Sequence, residues 1–233
     1  LKHSAIATDK VDLVASHGPT AFHAPKILHQ QEKFPNATLQ IGDGDHIAVK
    51  TGIITLSDFR QKHLAAGGEG APLAVYGDYF LFSKKGENRI MLNMGGIANF
   101  TYLPSTCNPE EVFVTDTGTG STLIEAFTRL HYPAKSYDKD AEIAKTGTVN
   151  SSLLKALKAN EFFLTPFPKT TGPELFNIDY VTKAQTQSKT THLSIPDLLA
   201  TLTRFSAETI AEAIQSTIAK SVDSAEKFTI YMS

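Results

Sequence analysis

Glu111-Val-Phe-Val-Thr-Asp-Thr-Gly-Thr-Gly-Ser-Thr-Leu-Ile-Glu-Ala-Phe127 is the stretch on which the fold turns. Its opening residues are β-branched and aromatic, which predicts a strand over 111–115. Apolar residues then recur at Leu123, Ile124, Phe127 and Leu130, the spacing of one helix face. Between the two lies Asp116-Thr-Gly-Thr-Gly-Ser121. Strand, glycine-bearing loop, helix is an arrangement that cradles phosphate. Gly118 and Gly120 let main-chain N–H groups approach a ligand, and the helix N-terminus adds favourable partial charge. Asp116 can hold a hydrated Mg²⁺, and the hydroxyls can reach phosphate oxygens. No Lys follows the second glycine where a Walker loop needs one. The alternative is a helix simply capped by Ser121 or Thr119.

Upstream, residues 89–94 and 97–103 are β-rich runs joined through Gly95-Gly96, which predicts a hairpin. Downstream, a helix starts near Ser151, an aromatic loop spans 162–168, and Lys169-Thr-Thr-Gly-Pro-Glu174 follows. Ser194-Ile-Pro-Asp197 reads as an N-cap with a partial capping box. It opens a long helix with Leu198, Leu199, Leu202, Phe205, Ile210, Ala213, Ile214 and Ile218 on one face. Arg204, Glu208 and Glu212 lie at four-residue spacing on another. Residues 227–232 predict a last strand.

The N-terminal third alternates short strands with turn-rich segments. Residues 11–15 form a short strand running into Ser16-His17-Gly18-Pro19-Thr20, and residues 37–41 form another, closing on Gly42-Asp-Gly-Asp45. His17, His23 and His29 recur at a spacing that suits no zinc motif, and they read as turn or surface residues, with His17 set apart by its turn. The Asp-Gly alternation invites a calcium loop, but the position that needs glutamate is Ile54. Apolar runs follow at 47–49 and 52–56. Then comes Asp58-Phe-Arg-Gln-Lys-His-Leu-Ala-Ala-Gly-Gly-Glu-Gly-Ala-Pro-Leu73, where charges crowd against Gly67, Gly68 and Gly70. A strand that ends in charges and a glycine turn is a common way to build a site, and also an ordinary surface turn. Residues 73–82 form a largely apolar run that fits a strand or a buried helix equally.

With 233 residues, 41% of them apolar, the chain suits one large domain or two small ones. Its formal charge of −2 excludes nucleic acid or an anionic membrane as the main partner. A lone Cys107 forms no internal disulfide and favours a reducing, cytoplasmic compartment. No apolar run approaches the roughly 18–20 residues of a bilayer span. The chain has no initiator Met and no signal-peptide layout, so a piece of a longer protein is expected.

Several segments together resemble the anhydro-N-acetylmuramic acid kinases, of the actin, hexokinase and Hsp70-like ATPase superfamily. They are Ser16-His-Gly-Pro-Thr20, Leu39-Gln-Ile-Gly-Asp-Gly44, Asp58-Phe-Arg60 with Ala65-Ala-Gly-Gly-Glu-Gly-Ala-Pro-Leu73, and Leu92-Asn-Met-Gly-Gly-Ile-Ala-Asn99. Asp116-Thr-Gly-Thr-Gly120, Tyr137-Asp-Lys-Asp140 and Lys169-Thr-Thr-Gly-Pro-Glu-Leu-Phe-Asn177 follow in the family's order.

The resemblance implies an α/β, actin/hexokinase-like (ribonuclease H-like) ATPase fold, incomplete in this chain, with lobes at residues 1–86 and 87–233. It implies ATP and Mg²⁺ as cofactors and an anhydrosugar as substrate, and it admits a homodimer. Substrate would meet Arg60, Gly67, Gly68, Gly70, Ala71, Pro72 and His17. ATP phosphates would meet Asn93, Gly95, Gly96, Asn99, Asp116, Gly118 and Gly120, with Asp116 on the metal.

The family's catalytic base ends an Asp-Phe-Arg-x-x-Asp motif. Here that place is His63, and an imidazole can also take a proton from water. Asp58 keeps its match and stands beside His63 as a catalytic candidate or a turn and cap residue. The family's opening Gly-Thr-Ser-x-Asp-Gly hairpin has no counterpart, and its later Gly-Gly-Gly segment would follow Ser233. The polypeptide as it stands is therefore not expected to turn over ATP. A non-catalytic binding module of the same fold, or a kinase for another anhydrosugar such as levoglucosan, are the alternatives.

Overall fold

A computed structural model describes residues 6–71, 73–220 and 227–233, and shows a mixed α/β protein. The chain divides into two compact units between Ala74 and Val75, at the first residue of the helix at 74–82.

The first unit is built from small pieces. Strand β1 (Leu13–Ala15) is followed by β2 (Thr20–Ala24), a short helix α1 (Lys26–His29), β3 (Ala37–Gln40), α2 (Gly44–Thr51), β4 (Ile54–Leu56) and α3 (Phe59–Ala65). β1 pairs parallel with β4, and β2 pairs antiparallel with β3. The Gly42-Asp-Gly-Asp45 run proves to be a helix start. Asp43 Oδ1 accepts from the Asp45 N–H at 2.8 Å, the side-chain cap that opens α2. Residues 47–49 therefore lie in a helix.

The second unit begins with α4 (Ala74–Phe82), which settles the ambiguity at 73–82 in favour of a helix. That helix is not buried: Tyr76, Phe80 and Leu81 are exposed. It is tied to its own unit by Asp78 Oδ2, which accepts from Thr101 Oγ1 at 2.6 Å, and by Tyr79, whose hydroxyl donates to the Cys107 carbonyl at 2.9 Å.

Strands β5 (Asn88–Met94), β6 (Ile97–Leu103) and β7 (Phe113–Thr119) form an antiparallel meander, with the expected Gly95-Gly96 hairpin turn. After β7 come α5 (Thr122–His131), α6 (Ser151–Lys158), α7 (Ile178–Ser188) and α8 (Ile195–Lys220). The last strand, β8 (Phe228–Met232), pairs parallel with β5, giving the order β7-β6-β5-β8. The sequence leaves α7 unmarked.

Alternation along the strands decides what faces what. Ile90, Leu92 and Phe100 turn inward and pack on Ala213 and Ile214 of α8. A second cluster gathers Leu123, Phe127, Leu153, Leu157, Phe176, Val181, Leu199, Leu202 and Phe205 from α5 to α8. The capping box reads true: Ser194 Oγ donates to Asp197 Oδ2 at 2.7 Å and accepts the Asp197 N–H at 3.2 Å. On the polar face of α8, Arg204 pairs with Glu208 at 2.7 Å, and Lys158 of α6 meets both Glu208 and Glu212. No helix among the described residues is long and apolar enough to cross a membrane.

Candidate functional site

The first unit gathers Arg60, His17, His63 and the glycine turn into one network. α3 begins at Asp58, which sits at φ 56°, in the left-handed region, and makes no side-chain cap bond. Its carboxylate is exposed. Two residues on, Arg60 is half-buried. Its Nε donates to His17 Nε2 at 2.9 Å, and its Nη1 donates to the Gly70 carbonyl at 3.2 Å. Among the described residues Arg60 forms no ion pair with a carboxylate. Burial lowers its pKa, yet a guanidinium stays charged in proteins. The nearby His23 is held below the usual imidazole range, first by desolvation and then by the Arg60 charge, with Glu69 opposing.

The turn itself is fixed on several sides. Gly67 N–H donates to the Leu64 carbonyl at 2.9 Å, and Gly68 N–H to the His63 carbonyl at 2.9 Å. Asn36 Nδ2 holds the Gly68 carbonyl at 3.1 Å. Gly70 sits at φ 79°, and its N–H donates to His63 Nδ1 at 3.2 Å. A Cβ on Gly68 would stand 2.1 Å from the His63 ring, so a larger residue there would displace that imidazole. Ala71 follows, half-buried. Pro72 lies outside the described residues. Asn36, absent from the residues that sequence singles out, belongs to this site. It is distant in sequence, and only folding brings it to the turn.

In the second unit, Asn93, Asn99 and Asp116 are directly opposed across β5, β6 and β7. Directly opposed residues project on one face, here the face away from Leu92 and Phe100. A bulge between Ala98 and Asn99 sets this row. In place of the loop expected at 116–121, Asp116, Thr117, Gly118 and Thr119 continue strand β7. Nor are the amides of Gly120, Ser121 and Thr122, which lead into α5, free for a ligand. Gly120 N–H and Thr122 N–H donate to the Gly96 carbonyl at 2.8 and 3.2 Å, and Ser121 N–H to the Gly95 carbonyl at 3.0 Å. The hairpin turn thus closes on the helix start, and Ser206 Oγ of α8 secures the Gly120 carbonyl at 2.9 Å. Ser121 caps without a side-chain bond.

Asp116 is the electrostatic focus of this unit. Its N–H donates to the Lys169 carbonyl at 2.9 Å, and its Oδ2 accepts from the Thr171 N–H at 2.8 Å. Burial, helped by the charge of Glu174, pushes its pKa up to about 6, against the pull of the Thr171 amide. Lys169 pins the segment that supplies Thr171: its Nζ donates to the Phe162 carbonyl at 2.7 Å and lies 4.3 Å from that ring's centroid. Thr171 and Glu174 shape the site although only their motif, not their role, is visible in sequence.

The donors around Asp116 would suit a cation that keeps most of its own waters. Among the described residues no group of three or more His, Cys, Asp or Glu side chains could cage a metal. Mg²⁺ needs no such cage, because it keeps waters and binds one or two carboxylates plus substrate phosphates. A desolvated Asp116 beside the buried Thr171 Oγ1, which has no hydrogen-bond partner, fits that requirement.

A mixed α/β scaffold with a Gly-Gly hairpin closed on a helix start and a desolvated carboxylate beside it is compatible with an ATPase-like kinase. The family model for anhydro-N-acetylmuramic acid kinase matches residues 1–226. An anhydro-N-acetylmuramic acid kinase of Pseudoalteromonas atlantica is 53% identical over 228 residues, covering 98% of this chain and 56% of the relative. One of Pseudoalteromonas translucida is 54% identical, covering 89% and 52%. One of Caldanaerobacter subterraneus is 37% identical, covering 94% and 55%. The chain belongs to the anhydro-N-acetylmuramic acid kinase family, and it spans about half the length of these curated relatives.

Proposed function

We propose that the whole protein is a cytoplasmic kinase of cell-wall sugar recycling. It uses ATP and Mg²⁺ to convert 1,6-anhydro-N-acetylmuramic acid and water into N-acetylmuramic acid 6-phosphate and ADP. The fold reading that accompanies it is actin/hexokinase-like (ribonuclease H-like). The sheet order β7-β6-β5-β8, three antiparallel strands and then a parallel one behind a long helix, supports that reading.

The chemistry is one displacement feeding another. The water oxygen bonds to the anomeric carbon as the bridge bond from that carbon to O6 breaks. O6 takes the γ-phosphoryl group as the bond to the β-phosphate oxygen breaks, and the water's proton passes to a base within hydrogen-bond reach. Asp58 and His63 are the candidates for that base. Arg60, Gly67, Gly68, Gly70, Ala71 and His17 face the sugar. Asn93, Asn99 and the amides of Gly95 and Gly96 face the ATP phosphates, with Gly118 and Gly120 shaping the strand end beneath them. Asp116 would hold Mg²⁺, which when bound would supply positive charge to offset that of the phosphates.

The observation that carries the substrate reading is the half-buried Arg60 guanidinium, with imidazole and carbonyl partners and, among the described residues, no carboxylate. Such a group favours an anionic ligand. 1,6-Anhydro-N-acetylmuramic acid brings a carboxylate, and levoglucosan has none. Calorimetry and a phosphate-transfer assay on the protein from its whole reading frame test this. Turnover of the anhydromuramic acid with at least ~100-fold preference over levoglucosan is expected for a desolvated charge contact. Binding without turnover would point to a non-catalytic module, and equal turnover of both sugars to a different substrate.

A further inference from the structure

His63 stands where the family pattern has an aspartate, and the geometry around its ring limits what it can do. The Gly70 backbone N–H points at His63 Nδ1 across 3.2 Å. A backbone N–H only donates, so Nδ1 must accept, and the neutral ring then carries its proton on Nε2. The Nε2 edge of the ring lies close to the main chain. A Cβ placed on Gly68 would lie 2.1 Å from both Nε2 and Cδ2, so this edge of the ring rests flush on the Gly68 backbone.

The contacts of the ring are those of a clamp. Gly70 is gripped at both ends, its N–H by His63 and its carbonyl by Arg60 Nη1 at 3.2 Å. The Gly68 N–H returns to the His63 carbonyl at 2.9 Å, and Asn36 holds the Gly68 carbonyl at 3.1 Å. His17 shows the opposite tautomer. Its Nε2 accepts from Arg60 at 2.9 Å while Nδ1 faces the Gly18 carbonyl at 2.5 Å. The two imidazoles thus bracket Arg60 and the glycine turn, one receiving a side-chain proton donor and the other a backbone one.

We propose that His63 is a positioning residue: held as the Nε2–H tautomer, it clamps the turn at residues 67–70 and does not accept the proton of the attacking water. The role rests on the kinase reading above, because the turn is positioned for a sugar only if a sugar binds there. The water's proton then goes to another acceptor, and Asp58, whose carboxylate makes no cap bond, is the one to test in this segment.

Two measurements on the protein from its whole reading frame separate this role from that of a base. Nitrogen-15 NMR of the imidazoles reads the tautomer directly and needs no activity. The His63 signals should show Nε2 protonated and Nδ1 not, and the reverse pattern would overturn the proposal. Failure of the enzyme to turn over any sugar would overturn the kinase reading and leave the tautomer result standing.

Kinetics supply the second arm. His63→Asn keeps an acceptor for the Gly70 N–H and has no basic nitrogen. His63→Ala should raise the sugar KM about tenfold or more, and His63→Asn, with its acceptor restored, should recover most of that loss in KM. Loss of ~100-fold or more in kcat in His63→Asn with KM unchanged would mark His63 as the base and sink the clamp.

Discussion

In residues 6–74, Ile53 is the only buried member of the hydrophobic core among the described residues, while Leu13, Phe22, Leu39, Ile41, Ile54 and Leu56 are exposed. In residues 75–233, by contrast, Phe100, Phe176, Phe205, Leu199 and Leu202 are fully buried. The two units therefore keep their shapes by different means. The second uses apolar burial, which is non-directional and tolerates small adjustments. The first uses hydrogen bonds and steric clearances at glycine, which are directional and fail when one atom is misplaced. Substitutions should accordingly act on stability in the second unit and on geometry in the first.

The largest effect is expected at Phe176, whose ring meets Phe162, Tyr180 and Phe205 with centroids 5.6, 5.1 and 6.4 Å away. Phe176→Ala should cost ~3–5 kcal/mol, read as a fall in the urea midpoint. A loss under ~1 kcal/mol would mean that this core does not hold the second unit.

Asp116 comes next, with a sign that stability alone would not anticipate. Its folded pKa of about 6 stands above the unfolded 3.8. The folded form binds the proton more tightly, so this contribution is complete below pH ~4 and is lost as pH rises through about 6. Asp116→Asn lacks that loss. It should be more stable than the parent by ~2–3 kcal/mol at pH 8, with the gap closing toward pH 4. Kinase activity should fall in the same variant, which is the pattern of a site kept at the expense of stability. Equal melting of the two proteins at both pH values would remove Asp116 as a strained carboxylate.

The first unit is probed by a pair of glycines. Gly18 sits at φ 68°, and a Cβ there would lie 2.2 Å from the Ile41 carbonyl oxygen. Gly67 sits at φ 87° with open space around it. Gly18→Ala should cost ~2 kcal/mol or more, and Gly67→Ala only ~1 kcal/mol from backbone strain. Similar losses at both positions would show that clearance is not what fixes this unit. The smallest effect is at a cap: Asn150 Oδ1 accepts from the Leu153 N–H at 2.9 Å, and Asn150→Ala should cost ~1 kcal/mol in thermal unfolding.

Much of the second unit was legible because its signals are local. β-branched runs marked β5 to β7, and Ser194 with Asp197 marked the start of α8. The helix α2 was hidden because its N-cap, Asp43, sits in a glycine-aspartate run that looks like a loop. The site was legible in its residue types and not in its wiring. Asp116 continues a strand because the partner of that strand lies in β6, and the α5 amides are spent on Gly95 and Gly96, contacts that no local pattern encodes. Likewise, an imidazole at position 63 reads as a base until Gly70 and Gly68 are seen against its two nitrogens.

Turnover in water enriched in oxygen-18 tests the central claim most directly. The protein from its whole reading frame would be given ATP, Mg²⁺ and 1,6-anhydro-N-acetylmuramic acid, and the product read by mass spectrometry of its fragments. A coupled bridge opening and phosphoryl transfer places the label on the anomeric hydroxyl and leaves the 6-phosphate unlabelled. Label in phosphate released from ATP, with the sugar unchanged, would mean that ATP is hydrolysed without the sugar and would contradict the kinase reading.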